Sequence, residues 1–352
     1  MKTEFLTLDG GSNDNEKIIR AARLLQAGEL VAFPTETVYG LGADSRNPES
    51  LARLSRVKGR PEDKPYSLLV PSLKQASDAA GGFSRIASKL ARIYWPGPLT
   101  LVVPKQGGGR VGLRLPEHAV TRSLLAHCGF PLATPSANRS GSAEPVTAQQ
   151  VRESLSGEIA LILDSGPAKH GRPSAVVLVD ENSIQVSRQG VITEDELRLS
   201  ASPTILFVCT GNTCRSPMAT GFCNLVLADS QAKRLLPFRV LSAGTQARDG
   251  CPADPLAVEA MREIGIDITS HLTSNLTPGM LDSADWIFTM TRAHRDSILE
   301  LMPSCEDRLQ LISCGTEEIE DPASHSIKLY RRVRDKIAGC LRDVIKLVST
   351  TA

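Results

Sequence analysis

Long hydrophobic runs are missing from this sequence. No stretch reaches the roughly 20 apolar residues that a membrane span needs, and Met1-Lys2-Thr3-Glu4-Phe5-Leu6 holds no apolar signal core. A bulk charge of either sign is missing too: 40 Lys and Arg against 39 Asp and Glu leave a net charge of +1. Binding to nucleic acid or to a charged surface must therefore be local. The eight cysteines do not make a secreted disulfide framework in a chain of 352 residues. No second closely spaced cysteine pair or histidine cluster completes a metal site with Cys209 and Cys214. A Walker lysine loop and a dinucleotide-type glycine fingerprint are also absent. The expectation is a cytoplasmic protein with reduced thiols, no membrane partner, no metal site built from its own side chains, and room for two domains.

What is present is most explicit at Val208-Cys209-Thr210-Gly211-Asn212-Thr213-Cys214-Arg215-Ser216-Pro217. The apolar run Thr204-Ile205-Leu206-Phe207-Val208 before it reads as a buried strand, and Met218-Ala219-Thr220-Gly221-Phe222 after it as the start of a helix. Ser216 suits the N-cap and Pro217 the first helical position. A loop that leaves a strand and enters a helix presents free N–H groups to an anion. In that ring of dipoles Cys209 is expected to ionise more readily than a free thiol, and the Arg215 fork can grip two phosphate oxygens. Gly211 lets the backbone turn close to the anion, and Asn212 tolerates a left-handed conformation. These residues read as a phosphatase loop with a cysteine nucleophile.

The first half carries a different pattern. A helix is expected over residues 13–28, followed by the buried strand Leu30-Val31-Ala32-Phe33 and the polar turn Pro34-Thr35-Glu36-Thr37. Lys58, Arg60 and Lys64 place three cations in a glycine- and proline-braced loop suited to a polyphosphate. Leu99–Val103 and Val111–Leu115 read as a hairpin, and Ser136-Ala137-Asn138 follows the short strand Pro131-Leu132-Ala133-Thr134. Further strands at Leu161–Asp164, Ala175–Val179 and Ile184–Ser187 imply a mixed, twisted sheet. On these residues alone the half is an α/β domain with a cationic, hydroxyl-lined cleft, and no reaction is named. The polar stretch 193–203 reads as a linker between a domain over 1–192 and a second over 204–352. Strand–helix alternation in the second domain predicts a small parallel sheet with flanking helices.

The second half resembles the low-molecular-weight protein phosphatases, through the Cys209–Ser216 loop, Ser242-Ala243-Gly244-Thr245, His271, Ala284–Met290 and Asp321-Pro322. The resemblance implies a cysteinyl-phosphate mechanism in which Asp321 serves as acid and then as base. Thr210, Gly211, Asn212, Thr213, Cys214 and Ser216 would form the phosphate loop, with Ser216 bonded to the Cys209 thiolate. A reversible Cys209–Cys214 disulfide is expected on oxidation. The full loop resembles that of bacterial protein-arginine phosphatases: Thr213 stands where tyrosine-specific members tend to carry a larger apolar residue. Ala323 in turn replaces a commonly bulky pocket wall. Phosphoarginine is the favoured substrate and phosphotyrosine the alternative.

The first half resembles the YrdC-like threonylcarbamoyl-AMP synthases. The matching stretches are Pro34-Thr35-Glu36-Thr37, Lys58-Gly59-Arg60-Pro61, Trp95–Thr100, Arg114–His118, Ser136-Ala137-Asn138 and Arg188-Gln189-Gly190. This implies condensation of L-threonine, bicarbonate and ATP, with Mg²⁺ accompanying the nucleotide and no cofactor needed by the phosphatase half. Lys58, Arg60, Ser136, Asn138 and Arg188 would hold ATP; Thr35, Arg114 and Ser174 would contact threonine. The product would feed tRNA threonylcarbamoyladenosine modification through downstream transfer proteins, and double-stranded RNA binding is implied as well. A non-catalytic RNA- or nucleotide-binding module is the alternative for this half. One departure stands out: the family's usual Ser-Thr is Ser174-Ala175 here.

Overall fold

The computed structural model describes residues 2–61, 65–231 and 235–351. Lys64 lies outside them. The chain divides into two compact units, Met1–Leu199 and Ser200–Ala352.

The first unit opens with β1 (Glu4–Thr7), α1 (Asp14–Gln26), β2 (Val31–Phe33), β3 (Gly40–Asp44) and α2 (Pro48–Lys58). Asn47 caps α2 through its side chain, and Pro48 occupies the position where a missing N–H costs nothing. Next come β4 (Leu68–Leu69), α3 (Leu73–Ala80), α4 (Arg85–Tyr94), β5 (Leu99–Pro104) and β6 (Arg110–Arg114). The unit continues with α5 (Ala119–Cys128), β7 (Leu132–Ala133), α6 (Ala148–Leu155), β8 (Leu161–Asp164), β9 (Ala175–Val179) and β10 (Ile184–Arg188). The ten strands form one mixed sheet in the order β1-β8-β2-β3-β7-β4-β6-β5-β9-β10. β5 and β6 pair antiparallel as the predicted hairpin, while β5 and β9 run parallel. Strand alternation splits the core: Val31 and Phe33 pack with Leu25, Leu124 and Leu132, whereas Ala32 packs with Tyr39, Leu54, Val151 and Ile162.

The stretch read as a linker, within which the two units divide, holds a helix, α7 (Glu194–Ala201). The reason is a capping box. Thr193 accepts from the Glu196 N–H at 3.3 Å, and the Glu196 carboxylate accepts from the Thr193 N–H at 2.9 Å. Leu197 and Ala201 are fully buried, so the polar appearance of the segment hid an anchored face.

The second unit contains β11 (Thr204–Cys209), α8 (Arg215–Gln231), β12 (Arg239–Gly244), α9 (Pro255–Arg262), α10 (Pro278–Ser283) and β13 (Trp286–Thr289). It ends with α11 (Arg292–Leu301), β14 (Leu309–Leu311) and α12 (Ile327–Thr351). Its four strands are all parallel, in the order β12-β11-β13-β14. Alternation along β11 turns Leu206 and Val208 toward one layer with Leu281 and Ile298, while Ile205, Phe207 and Cys209 face Met218, Met261 and Tyr330. Cys209 thereby stands at the C-terminal end of a central strand, where open α/β sheets place their ligands.

Candidate active sites

The eight first-half residues expected to bind ligands all line one open cleft of about 370 Å³. Each arrives at the end of an element. Thr35 follows β2, Lys58 ends α2 and Arg60 follows it; Arg114 ends β6, Ser136 and Asn138 follow β7, Ser174 precedes β9, and Arg188 ends β10. Lys58 directs its ammonium at the Ser136 carbonyl (2.6 Å), the Asn138 carbonyl and the Asn138 side-chain oxygen (3.1 Å). Burial, then the neighbouring Arg60 charge, push the Lys58 ammonium down to about 8. The three carbonyl acceptors oppose that loss, and they make Lys58 the strut of the 136–138 loop. Ser136 in turn donates to Asn138 Oδ1 at 2.6 Å, and Asn138 Nδ2 donates to the Ser142 carbonyl at 2.6 Å. The Arg60 guanidinium lies 4.7 Å over the Tyr66 ring, and its buried Nε has no acceptor among the described residues.

Across the cleft, Arg188 donates to the Ser174 carbonyl (3.1 and 3.0 Å) and hydroxyl (3.1 Å), while Ser174 meets Thr100 at 2.9 Å. Gly190 is required here: a Cβ would stand 2.2 Å from the Ala175 nitrogen, so no other residue fits without moving backbone. Arg114 pairs with Glu36 at 2.7 Å and with the Thr37 hydroxyl at 2.8 Å, both out of solvent. Breaking such a buried pair costs about 3–5 kcal/mol, which holds the arginine in place. Ser174 and Val176 line the cleft, but Ala175 between them is fully buried and absent from its wall. The departure at 175 therefore removes no hydroxyl from the cleft surface.

In the second unit the loop 209–215 wraps around the Cys209 sulfur. The Asn212 N–H donates to Sγ at 3.3 Å, and Ser216 Oγ lies 3.0 Å from it. Ser216 also accepts from Asn212 Nδ2 at 2.8 Å, which leaves its own proton for the sulfur. Both donors sit where the charge of a thiolate would need them. Asn212 adopts the left-handed conformation expected of it, with φ 57°. It is pinned from four sides, by Ser216, by Ser242 (2.9 Å), by the Ser274 N–H (2.8 Å) and by His271 Nε2, which donates to its carbonyl at 2.8 Å. Helix α8 starts at Arg215, so Ser216 is not the N-cap that its sequence position advertised. The left-handed turn at Asn212 reverses the chain early, placing Ser216 in the first turn with its hydroxyl directed back at Cys209.

Arg215 is buried and donates to the Asp321 carboxylate, to Thr210 Oγ1 (3.2 Å) and to the Ile319 carbonyl (3.3 Å). Asp321, expected to serve as the acid, is half exposed. Cys214 is buried. Its sulfur meets the Tyr330 hydroxyl at 3.5 Å and Thr213 Oγ1 at 3.4 Å, and burial pushes the thiol up. Cys209 and Cys214 are both free thiols.

Comparison with known proteins matches both units. The Sua5/YciO/YrdC family model, described as telomere recombination, covers residues 23–190. The model described as low-molecular-weight phosphotyrosine protein phosphatase covers residues 204–351. The chain is 35% identical over 182 residues to the threonylcarbamoyl-AMP synthase of Vibrio vulnificus, which takes in 49% of this chain and 97% of that one. It belongs to the Sua5/YciO/YrdC family, with a low-molecular-weight phosphatase domain following. The Bacillus subtilis threonylcarbamoyl-AMP synthase is 36% identical over 202 residues, 54% of this chain, and only 58% of that longer protein is spanned. A doubly substituted Pyrococcus abyssi Sua5 structure is 25% identical, with a TM-score of 0.53, over 80% of this chain and 94% of its own. The second unit is also 34% identical to a Geobacillus stearothermophilus structure titled YwlE arginine phosphatase (42% of this chain, 94% of that one, TM-score 0.38).

Several side chains of the Sua5/YrdC unit went unassigned in the sequence. Glu36 sits inside a matching stretch, yet only the fold shows it gripping Arg114. Glu144 lies in the loop after β7 and comes within 3.7 Å of Arg188. Thr100 ended a matching stretch without a stated role, and Tyr66 carried no motif at all. In the phosphatase unit, Ser242 and His271 belonged to matching stretches without a stated role, and His294 carried no signal beyond a helix start.

Proposed function

We propose that the chain is a bifunctional enzyme: a threonylcarbamoyl-AMP synthase followed by a phosphoprotein phosphatase. What supports the first activity is the convergence of all eight expected residues, cations and hydroxyls together, on one cleft. Threonine's amine takes up the carbon of bicarbonate with loss of water. An oxygen of the resulting carbamate attacks the α-phosphate of ATP, and pyrophosphate leaves. No protein nucleophile is needed; orientation and charge neutralisation supply the rate. Lys58, Arg60 and Arg188 neutralise the phosphates, and Thr35, Arg114 and Ser174 orient threonine. Among the described residues no group of three His, Cys, Asp or Glu stands together. Mg²⁺ with the nucleotide would bind through substrate phosphates and one or two carboxylates rather than in a protein cage. Glu144, a carboxylate lining the cleft, would help to hold the ion, which would supply neutralising charge to the phosphates. The product's destination is the tRNA modification expected above.

The second activity is supported by the two donors converging on Cys209. The thiolate attacks phosphorus, Arg215 exchanges Asp321 for phosphate oxygens, and Asp321 protonates the leaving group. Water activated by the same carboxylate then hydrolyses the cysteinyl phosphate. Phosphoarginine is favoured because the Thr213 hydroxyl can accept from a guanidinium and occupies the place of a larger apolar side chain. Rates of phosphate release from matched phosphoarginine and phosphotyrosine peptides test this. Wild type is expected to prefer phosphoarginine, and Thr213→Ile to swing the preference toward phosphotyrosine by about tenfold or more. A wild-type preference for phosphotyrosine would mean that Thr213 is not the selector.

A further inference from the structure

A run of hydrogen bonds leads out of the phosphate loop, from Arg215 through Thr210 to a buried imidazole. Arg215 carries only donors, so Thr210 Oγ1 must accept from Arg215 Nη2 at 3.2 Å. The single Thr210 O–H is then left for His294 Nε2, 2.9 Å away. In the proton arrangement assigned to this run, Nε2 is unprotonated and the ring proton is on Nδ1, 2.8 Å from Thr291 Oγ1. Thr291 is also the N-cap of α11 and accepts from the His294 N–H. The imidazole is thus fixed by the start of its own helix, and it is buried.

From this we infer that His294 is a positioning residue of the phosphatase site. By accepting the Thr210 hydroxyl proton it turns the Thr210 oxygen toward Arg215 and holds the guanidinium at the mouth of the loop. The inference rests on the phosphatase reading above. His294 touches neither Cys209 nor the substrate position and acts through Thr210. In this arrangement the ring is neutral; a protonated Nε2 would reverse the bond and place a second donor on the oxygen that Arg215 uses. Burial, then the Arg215 charge, push the imidazole down to about 4; the facing carboxylates of Asp321 and Glu318 oppose them less strongly. The ring therefore stays neutral, and the arrangement intact, above about pH 4. His271, on the opposite side of the loop, donates to a carbonyl and takes no part in this chain.

A double-mutant cycle on the full chain separates positioning from packing. The variants are His294→Phe, Thr210→Val and the pair, with kcat/KM measured on a phosphorylated peptide and inhibition by inorganic phosphate as a binding probe. Each single substitution is expected to lower kcat/KM and to weaken phosphate inhibition by about tenfold, the worth of one oriented hydrogen bond to a charged group. The double variant should be no worse than either single one. Losses that multiply to about a hundredfold would overturn the inference, because two independent sites add in free energy. His294→Gln, whose amide oxygen can accept near the Nε2 position, should recover most of the loss; no recovery would count against it. Nitrogen NMR of the histidine rings decides the hydrogen-bond chain without turnover. The wild-type ring should carry its proton on Nδ1 at pH 7 and its Nε2 signal should shift in Thr210→Val, whereas a protonated Nε2 would overturn the assignment. A wild type that hydrolyses no phosphorylated peptide would instead remove the phosphatase reading, and the ring spectrum would still judge the chain on its own.

Discussion

Cys209→Ser is expected to abolish phosphate release, with a loss of at least about 10⁴-fold in kcat. The sulfur is the atom on which the loop converges: Asn212 N–H and the Ser216 hydroxyl both point at it, and Asn212 is itself held by Ser242, Ser274 and His271. A serine oxygen would meet the same donors but ionises far less readily than a thiol, so the loop would orient a weak nucleophile. Phosphate release followed colorimetrically from a phosphorylated peptide checks this. Activity surviving in Cys209→Ser would remove the covalent mechanism altogether. Gly244 shows how closely the neighbouring strand supports this site. A Cβ there would stand 2.4 Å from the Thr210 carbonyl and 2.9 Å from the Asn212 nitrogen, so the loop lies directly on β12.

The second large effect is in the other unit. Lys58→Ala is expected to reduce pyrophosphate release by at least about a hundredfold, the scale of loss when a reacting group shifts by an ångström. Lys58 has two parts in the cleft. It offers a cation to the phosphates, and it ties Ser136 and Asn138 together through three carbonyl oxygens. Alanine would remove the charge and leave those acceptors without their donor. Lys58→Arg separates the two parts: a planar fork keeps the charge but cannot reach three acceptors set around one nitrogen, and it should lose most of the activity as well. Full activity in Lys58→Arg would show that charge alone matters. Full activity in Lys58→Ala would show that the cleft is not the nucleotide site.

The sequence was most informative where backbone chemistry is local. The Cys209–Ser216 loop could be read because a strand, a glycine, a left-handed asparagine and a helix start are each coded by adjacent residues. The residues expected to bind ligands in the first unit could be named because most stand in short matching stretches, and the fold brings all eight to one cleft. What could not be read was long-range pairing. Nothing adjacent in sequence tells that Glu36 meets Arg114 78 positions away, or that Thr210 meets His294 84 positions away. The strand order, with β7 seated between β3 and β4, depends on the same non-local pairing. The two units divide within the segment 193–203, but its helix could not be read, for a different reason. Its charges suggested a solvated connector, but Thr193 and Glu196 cap a helix whose Leu197 and Ala201 are buried. Ser216 was misplaced by two residues because Ser-Pro is a strong start signal, and the turn at Asn212 had already begun the helix at Arg215.

The most direct test of the account is pyrophosphate release from ATP by the wild-type full chain, measured with threonine, bicarbonate or Mg²⁺ omitted in turn. The account predicts release only when all are present, with serine a poor replacement for threonine. Release that is indifferent to threonine and bicarbonate, or no release at all from a chain that binds ATP, would contradict it and leave the first unit as a nucleotide-binding module.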